Sequence, residues 1–336
     1  MSIRFGAVGF AHNHIFNMVE VLCAAGAELV SFYDETPERV ALFAERFPQA
    51  QQSESVEVLL EDDSLDLIVS ASIPCERAPL GIEVMRHGKD FLCAKPGITD
   101  LDQLAAVRQV QAQTQRKYII YFGERLQNPA TVKAGELVHS GVIGQVVQTV
   151  GFGPHRLLGH VQRPDWSFDR RYFGGVINDL ASHQMDQFLY FTGSTEAQVI
   201  ASHIGNFKHQ QFPKMHDFGD MIVRSPSATG YVRVDWMTPE GLDTWGDVRL
   251  FILGTDGYIE LRKNIDIAGR DGDNHLFLVN RHGTQHIDCR NVSLPFAEQF
   301  IADVQQRTDV AMSQAHCLLA AQLALQAELQ AFELSP

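Results

Sequence analysis

Residues 3–14 read Ile-Arg-Phe-Gly-Ala-Val-Gly-Phe-Ala-His-Asn-His. Ile3–Val8 has the composition of a short buried strand, and residues 14–25 repeat apolar side chains at helical spacing until Gly26. A strand that runs through a glycine-bearing loop into a helix leaves backbone N–H groups at the helix N-terminus, where a phosphate binds. The dinucleotide pattern there is G-x-G-x-x-G. Gly9 keeps its first glycine, while Ala11 and His14 replace the second and third. Gly9, Phe10, Ala11 and His12 form the candidate pyrophosphate loop. Asp34 ends the next apolar run, Ala27–Tyr33. An acid at that point accepts hydrogen bonds from a ribose 2′-OH and repels a 2′-phosphate, which favours NAD over NADP.

Working outward, the first 125 residues alternate strand-like and helix-like segments. Leu67–Ser70, Phe91–Cys93 and Tyr118–Phe122 read as strands, and Ala78–Arg86 and Asp102–Gln113 as helices. Thr36-Pro37-Glu38 opens another helix with a capping residue and a proline at its first position. This grammar implies βαβ units and a parallel sheet of Rossmann type, in an α/β fold. Beyond residue 125 the pattern changes. Helix Thr131–His139 precedes a strand near Val146–Phe152, and 153–174 reads as a long polar and aromatic loop. Six strand candidates follow: Gln198–Ile204, Gly219–Val223, Gly230–Trp236, Val248–Leu253, Tyr258–Leu261 and His275–Val279. Turns at 254–257 and 281–284 separate some of them, and helices Phe296–Gln306 and Ser313–Ala331 close the chain. The expectation is a dinucleotide-binding domain over 1–125. An α+β domain with an open, mostly antiparallel sheet would occupy 126–336 and serve substrate binding and oligomerisation.

Composition narrows the partners. A net charge of −14 argues against non-specific binding to nucleic acid or an anionic membrane. Five scattered cysteines without a C-x-x-C pair argue against a disulfide framework or structural zinc and favour a reducing, cytoplasmic setting. No apolar run reaches the roughly 18 residues of a membrane span.

The chemistry concentrates in Gly174-Gly-Val-Ile-Asn-Asp179-Leu-Ala-Ser-His183-Gln-Met-Asp186. On a helix, Asp179 and His183 share one face, and an acid beside a histidine can hold an imidazole for proton transfer. The preceding loop offers His155, Arg156, His160, Arg163, Trp166, Arg170 and Arg171. With Arg125, its arginines suit a carboxylate or phosphate on a ligand. His155 and Trp166 are the candidate substrate contacts. His12-x-His14, with Asp179 and His183, is a competing set of ligands for a divalent ion; the preferred reading places no metal.

With Lys95-Pro96 added, the chain resembles the Gfo/Idh/MocA family of NAD(P)-dependent oxidoreductases. Lys95-Pro96 is similar to the family's Glu-Lys-Pro signature, and Gly174 through Asp186 to its Gly-Gly-x-x-x-Asp-x-x-x-His-x-x-Asp helix. Ala71-Ser72-Ile73-Pro74, Ser140–Gly144, His216-Asp217-Phe218 and Leu253–Gly257 are smaller echoes in the same order. The chain departs from the family at Ala11 and His14 in the glycine loop, at Ala94, where the family usually has Glu, and at Arg77, near where it often has His. The resemblance implies NAD as cofactor, held by Gly9, Phe10, Ala11, His12, Asp34, Ile73, Pro74 and Lys95. It implies Lys95, Asp179 and His183 as the catalytic group, with the last two also binding substrate. The implied reaction moves a hydride between nicotinamide and a hydroxyl or keto carbon of a sugar, inositol or related polyol. Two alternatives stay open: a sugar hydrolase or epimerase that retains NAD, and a non-catalytic nucleotide or sugar sensor. The open sheet would leave apolar surface on a monomer, so a homo-oligomer, dimer or tetramer, is expected.

Overall fold

The computed structural model describes residues 2–157 and 163–335. The chain divides into two compact units: Met1–Tyr121 with Pro295–Leu318, and Phe122–Leu294 with Leu319–Pro336.

The first unit is built on six strands: β1 (Arg4–Val8), β2 (Glu28–Tyr33), β3 (Gln51–Gln52), β4 (Leu67–Ser70), β5 (Asp90–Ala94) and β6 (Tyr118–Tyr121). Their order is β3-β2-β1-β4-β5-β6, every neighbouring pair parallel. Strands β4, β5 and β6 are buried along their whole length, as strands covered on both faces must be. The connecting helices are α1 (His14–Ala24), α2 (Pro37–Arg46), α3 (Val56–Glu61), α4 (Pro74–Arg86) and α5 (Leu101–Thr114). The sequence pattern starts α4 only at Ala78, yet the helix begins at Pro74. A proline is accommodated at the first helical position because that N–H has no partner anyway. Pro79, inside α4, cannot donate to the carbonyl of Cys75; the Gln103 amide does so instead, at 3.1 Å. The order reverses between β1 and β4, which opens the crevice at the carboxyl edge where ligands of such sheets bind.

Helix Phe296–Gln306 belongs with this unit, whereas the sequence pattern places it at the end of the second. Gln314 explains part of the return. Its amide pairs with both backbone groups of Tyr118 on edge strand β6, accepting its N–H and donating to its carbonyl, each at 2.8 Å. Asp90 explains the rest. It is fully buried, accepts the Lys117 N–H at 2.7 Å, and receives the Arg307 guanidinium at 2.5 and 2.9 Å.

The second unit holds a nine-stranded sheet in the order β14-β13-β12-β11-β7-β10-β9-β8-β15. Its strands are β7 (Val146–Pro154), β8 (Gln198–Gly205), β9 (Phe218–Arg224), β10 (Thr229–Asp235), β11 (Arg249–Gly254), β12 (Gly257–Arg262), β13 (His275–Asn280), β14 (Gly283–Asp288) and β15 (Phe332–Leu334). The sheet is mostly antiparallel; only β7 with β10 and β8 with β15 run parallel. Strand β7 extends to Pro154, further than the sequence pattern gave, because Gly153 and Pro154 pair with Val234 and Asp235 of β10; just beyond it, the N–H groups of His155 and Arg156 bond the carbonyls of Asp235 and Trp245. The helix Ser182–Thr192 packs on β7, where a Cβ at Gly151 would come within 2.8 Å of Gln184. Small residues on the strand thus let the helix approach. Among the described residues, no helix is long and apolar enough to cross a membrane.

Breaking a buried ion pair by removing one partner costs about 3–5 kcal/mol. Arg307 is partly exposed, so Arg307→Ala should cost towards the lower end, about 3 kcal/mol. Urea denaturation would read this directly; a change under about 0.5 kcal/mol would show that the return segment is held otherwise.

Candidate functional site

In the first unit the loop after β1 is stitched to both neighbouring strands. Gly9 donates to the Tyr33 carbonyl and accepts from the Ala71 N–H, each at 3.0 Å, and His12 donates to the Ala71 carbonyl at 3.0 Å. Gly9 has φ +74, and a Cβ there would stand 2.6 Å from that of Ser72, so only glycine fits. Phe10 turns its ring into the core, stacked on Phe43 at 4.1 Å, and its N–H donates to Asp34 Oδ2 at 2.5 Å. Asp34 Oδ1 accepts the Thr36 N–H at 2.8 Å, and Arg39 stands 3.7 Å from the same oxygen. Asp34 therefore ties the loop to the end of β2, a duty the sequence did not disclose. Helix α1 begins at His14 with no side-chain cap from Asn13. Its N-terminus, beside the half-exposed Ala11, suits a pyrophosphate. The rings of His12 and His14 lie 4.0 Å apart, and the His14 N–H donates to His12 Nδ1 at 3.2 Å. Among the described residues no group of three or more His, Cys, Asp or Glu is placed to hold a metal.

Lys95 follows β5 and is half-buried, with a cis bond to Pro96. Ile73 and Pro74 open α4 on the neighbouring connection. Both connections converge on Arg77, which is fully buried. Its Nε donates to the Ser72 carbonyl at 2.8 Å. Its Nη1 is shared among the carbonyls of Ala94, Lys95 and Pro96, at 3.0, 2.8 and 3.0 Å. Two of the departures from the family pattern, Arg77 and Ala94, are thus hydrogen-bonded neighbours.

In the second unit Gly174 and Gly175 take φ +78 and +97. They lead into a π-helical turn, Ile177–Ala181, followed by the α-helix Ser182–Thr192. The sequence pattern gives an unbroken α-helix across Asp179 and His183. The wider turn arises where the backbone bonds outside the helix: Ile177 N–H to Glu328 at 2.8 Å, with the Asn178 side chain donating to the Phe173 carbonyl at 3.3 Å. Such π turns recur at functional sites. Asp179 is half-buried; His183 is 6% exposed and meets the Phe122 ring edge-on at 6.2 Å.

Asp186 is engaged elsewhere. It receives the Arg125 guanidinium in a buried bidentate pair at 2.6 and 2.7 Å. That pair ties Arg125 to the helix. Beside this pair, Lys263 donates to Gln187 at 2.7 Å and to the Glu124 carbonyl at 3.1 Å, and Glu124 accepts from Gln184 at 3.0 Å. Burial pulls the Lys263 ammonium below the ordinary lysine range, and Glu124 opposes that. The helix carrying His183 is thus anchored through its polar residues.

The loop departs from expectation in its partners. His155 is flanked by Trp236 at 5.3 Å and Trp245 at 4.6 Å between ring centroids. Trp166 lies in the short turn Asp165–Phe168. Arg163 lies 4.5 Å over the Trp236 ring, its Nε donating to the Leu157 carbonyl at 2.7 Å. Burial lowers its pKa and the charge of Asp179 raises it, so Arg163 stands near the acid. The rest of the loop is not bare: Arg170–Phe173 forms a helical turn, and Arg171 pairs with Asp169 at 2.6 Å. His160 lies outside the described residues. Trp236 and Trp245 escaped the sequence reading because only pairing with β7 brings them to His155.

Two sequence models match. Residues 3–122 match the oxidoreductase family with an NAD-binding Rossmann fold, and 131–260 match the GFO/IDH/MocA C-terminal domain. An oxidoreductase-like protein of Erwinia carotovora atroseptica, known from its crystal structure, is 45% identical. The similarity covers 99% of this chain and 100% of that one, with a TM-score of 0.96. Inositol 2-dehydrogenase of Acidothermus cellulolyticus is 24% identical over 91% of this chain and 85% of its own length. 1,5-Anhydro-D-fructose reductase of Ensifer adhaerens is 26% identical, and the match spans only 59% of each protein. With the parallel sheet, the stitched glycine loop and the Asp179–His183 turn in place, the chain belongs to the Gfo/Idh/MocA family of oxidoreductases, and its first unit carries that family's NAD-binding Rossmann fold.

Proposed function

We propose that the protein is an NAD-dependent oxidoreductase. In this reading it moves a hydride between nicotinamide and a hydroxyl or keto carbon of a sugar, inositol or related polyol. The observation that carries the reading is the retention of Lys95, Asp179 and His183 on pinned, irregular backbone within a family of oxidoreductases. The names of two relatives, an inositol dehydrogenase and an anhydrofructose reductase, point to the same substrate class. NAD, held by the loop of Gly9, Phe10, Ala11 and His12 with Asp34, Ile73, Pro74 and Lys95, supplies the hydride acceptor. His183 takes the proton of the reacting hydroxyl as general base. Lys95 donates a hydrogen bond to the reacting oxygen and stabilises its developing charge. Asp179 binds a neighbouring hydroxyl or orients the imidazole. His155 and Trp166 contact substrate, and Trp236, Trp245 and Arg163 extend that wall.

The open sheet leaves Ile200, Ile222 and Phe332 exposed at 48%, 42% and 68%. Exposed apolar side chains of this kind favour a homo-oligomer, a dimer or tetramer. Light scattering at micromolar concentration should return a multiple of the 37.5 kDa chain mass, and a single-chain mass removes the proposal.

Kinetics with a panel of polyols test the reaction. Lys95→Met and His183→Asn should each lower kcat by about 10²-fold or more. Wild-type turnover in both variants would overturn the catalytic assignment. Product formed without accumulating NADH would move the reaction to the hydrolase or epimerase class. Ligand binding with no turnover of any polyol would leave a sensor.

Cofactor choice is read separately by calorimetry. The carboxylate of Asp34 should make NADH bind at least about tenfold tighter than NADPH, equivalent to about 1.4 kcal/mol. Equal affinities would show that Arg39 beside it cancels the repulsion.

A further inference from the structure

Gly175 has no room for a side chain. A Cβ built there falls 2.0 Å from the carboxyl carbon of Glu328. Glu328 comes from the far end of the chain, on the helix Gln314–Gln330. Its stem is partly exposed and its carboxyl is the enclosed end. One carboxyl oxygen accepts the Ile177 N–H at 2.8 Å, and the Asn178 N–H also bonds the carboxyl. These are first N–H groups of the segment carrying Asp179 and His183, the groups a helix start leaves without intrahelical acceptors. Val176, at its N-cap position, makes no side-chain capping bond. A carboxylate is the best acceptor for such a position, since the helix dipole favours negative charge there.

We propose that Glu328 is a positioning residue for the catalytic turn: its carboxyl fixes the N–H groups of Ile177 and Asn178 and so sets where Asp179 projects, with Gly175 kept as glycine to admit it. The proposal rests on the reading of Asp179 and His183 as catalytic groups. It gives Gly175 a structural purpose, since the space a Cβ would take there is filled by Glu328.

Burial and the two hydrogen bonds act on the carboxyl in opposite directions. Burial pushes the Glu328 carboxyl up to about 7, while the two N–H bonds and Arg170 oppose the rise and the charge of Asp179 adds to it. A carboxyl raised on folding stabilises fully below its unfolded pKa and loses that stabilisation as pH climbs through the folded value. The loss for Glu328 spans the interval from its ordinary value of 4.5 to about 7.

Three variants test the proposal: Glu328→Gln, Glu328→Leu and Gly175→Ala. Glu328→Gln keeps shape and an acceptor but cannot ionise. Its melting temperature should rise relative to wild type between pH 5 and 7 and then hold a constant offset. Its affinity for NADH should stay within about twofold while kcat falls about tenfold, KM moves less, and the kcat profile loses an ionisation near neutral pH. Glu328→Leu and Gly175→Ala, which leave the N–H groups unpaired or displace the carboxyl, should lower kcat further and speed amide exchange over 175–181. Wild-type kcat in the Gln and Leu variants together would overturn the proposal, as would a loss in Gln matched by equal loss of NADH affinity. If wild type turns over no polyol, the catalytic reading fails on its own. The pH dependence of the melting offset and the exchange over 175–181 then still decide whether Glu328 fixes the turn.

Discussion

A backbone N–H or C=O withdrawn from water must find a partner, and the three segments that carry the proposed cofactor and catalytic residues lie where helix and sheet cannot supply all of them. The loop at 9–14, the turn at 94–97 and the π turn at 177–181 are irregular, and each hands part of its pairing to one buried or enclosed side chain. Asp34 accepts the N–H groups of Phe10 and Thr36. Arg77 donates to the carbonyls of Ser72, Ala94, Lys95 and Pro96. Glu328 accepts at the start of the π turn. In each case the charged residue acts on backbone within its own unit, and the side chains proposed to do chemistry are carried by the backbone so fixed.

The strands of both sheets were legible because burial on one or two faces writes itself as apolar runs or alternation. What escaped was structure without that signature. Strand β14 is almost wholly exposed and polar, and it pairs only because the turn before it sets the register with β13. Strand β3 is two exposed glutamines. Helix α3 has only six residues, too few for helical periodicity to stand out. The return of Phe296–Gln306 to the first unit depends on Asp90 meeting Arg307 and Gln314 meeting Tyr118, pairs about two hundred positions apart that no local pattern encodes.

The site was legible in its residues more than in its wiring. The spacing of Asp179 and His183 announced a pair, but the π turn beneath Asp179 depends on Glu328, far along the chain. Asp186 shares the same stripe and looked equivalent, yet its bidentate pair with Arg125 makes it an anchor. A window of local sequence cannot distinguish an acid facing a ligand from one facing a buried arginine. The aromatic wall around His155 failed for a related reason, since Trp236 and Trp245 reach it only through strand pairing.

The departures from the family pattern acquire sense from the same constraint. Read along the chain, Arg77 and Ala94 are two unrelated substitutions; in the structure the first donates to the carbonyl of the second. A buried guanidinium is costly unless its hydrogen bonds are made, and here four carbonyl dipoles face it from two connections of the sheet. The geometry needs a planar fork, with Nε directed to Ser72 on one side and Nη1 to residues 94–96 on the other. An ammonium on a flexible stem is a point charge and could not span both directions with the same rigidity. The Arg77 guanidinium is therefore spent on backbone carbonyls. It is a fixed cation behind the turn, where its donors constrain the backbone from which Lys95 projects.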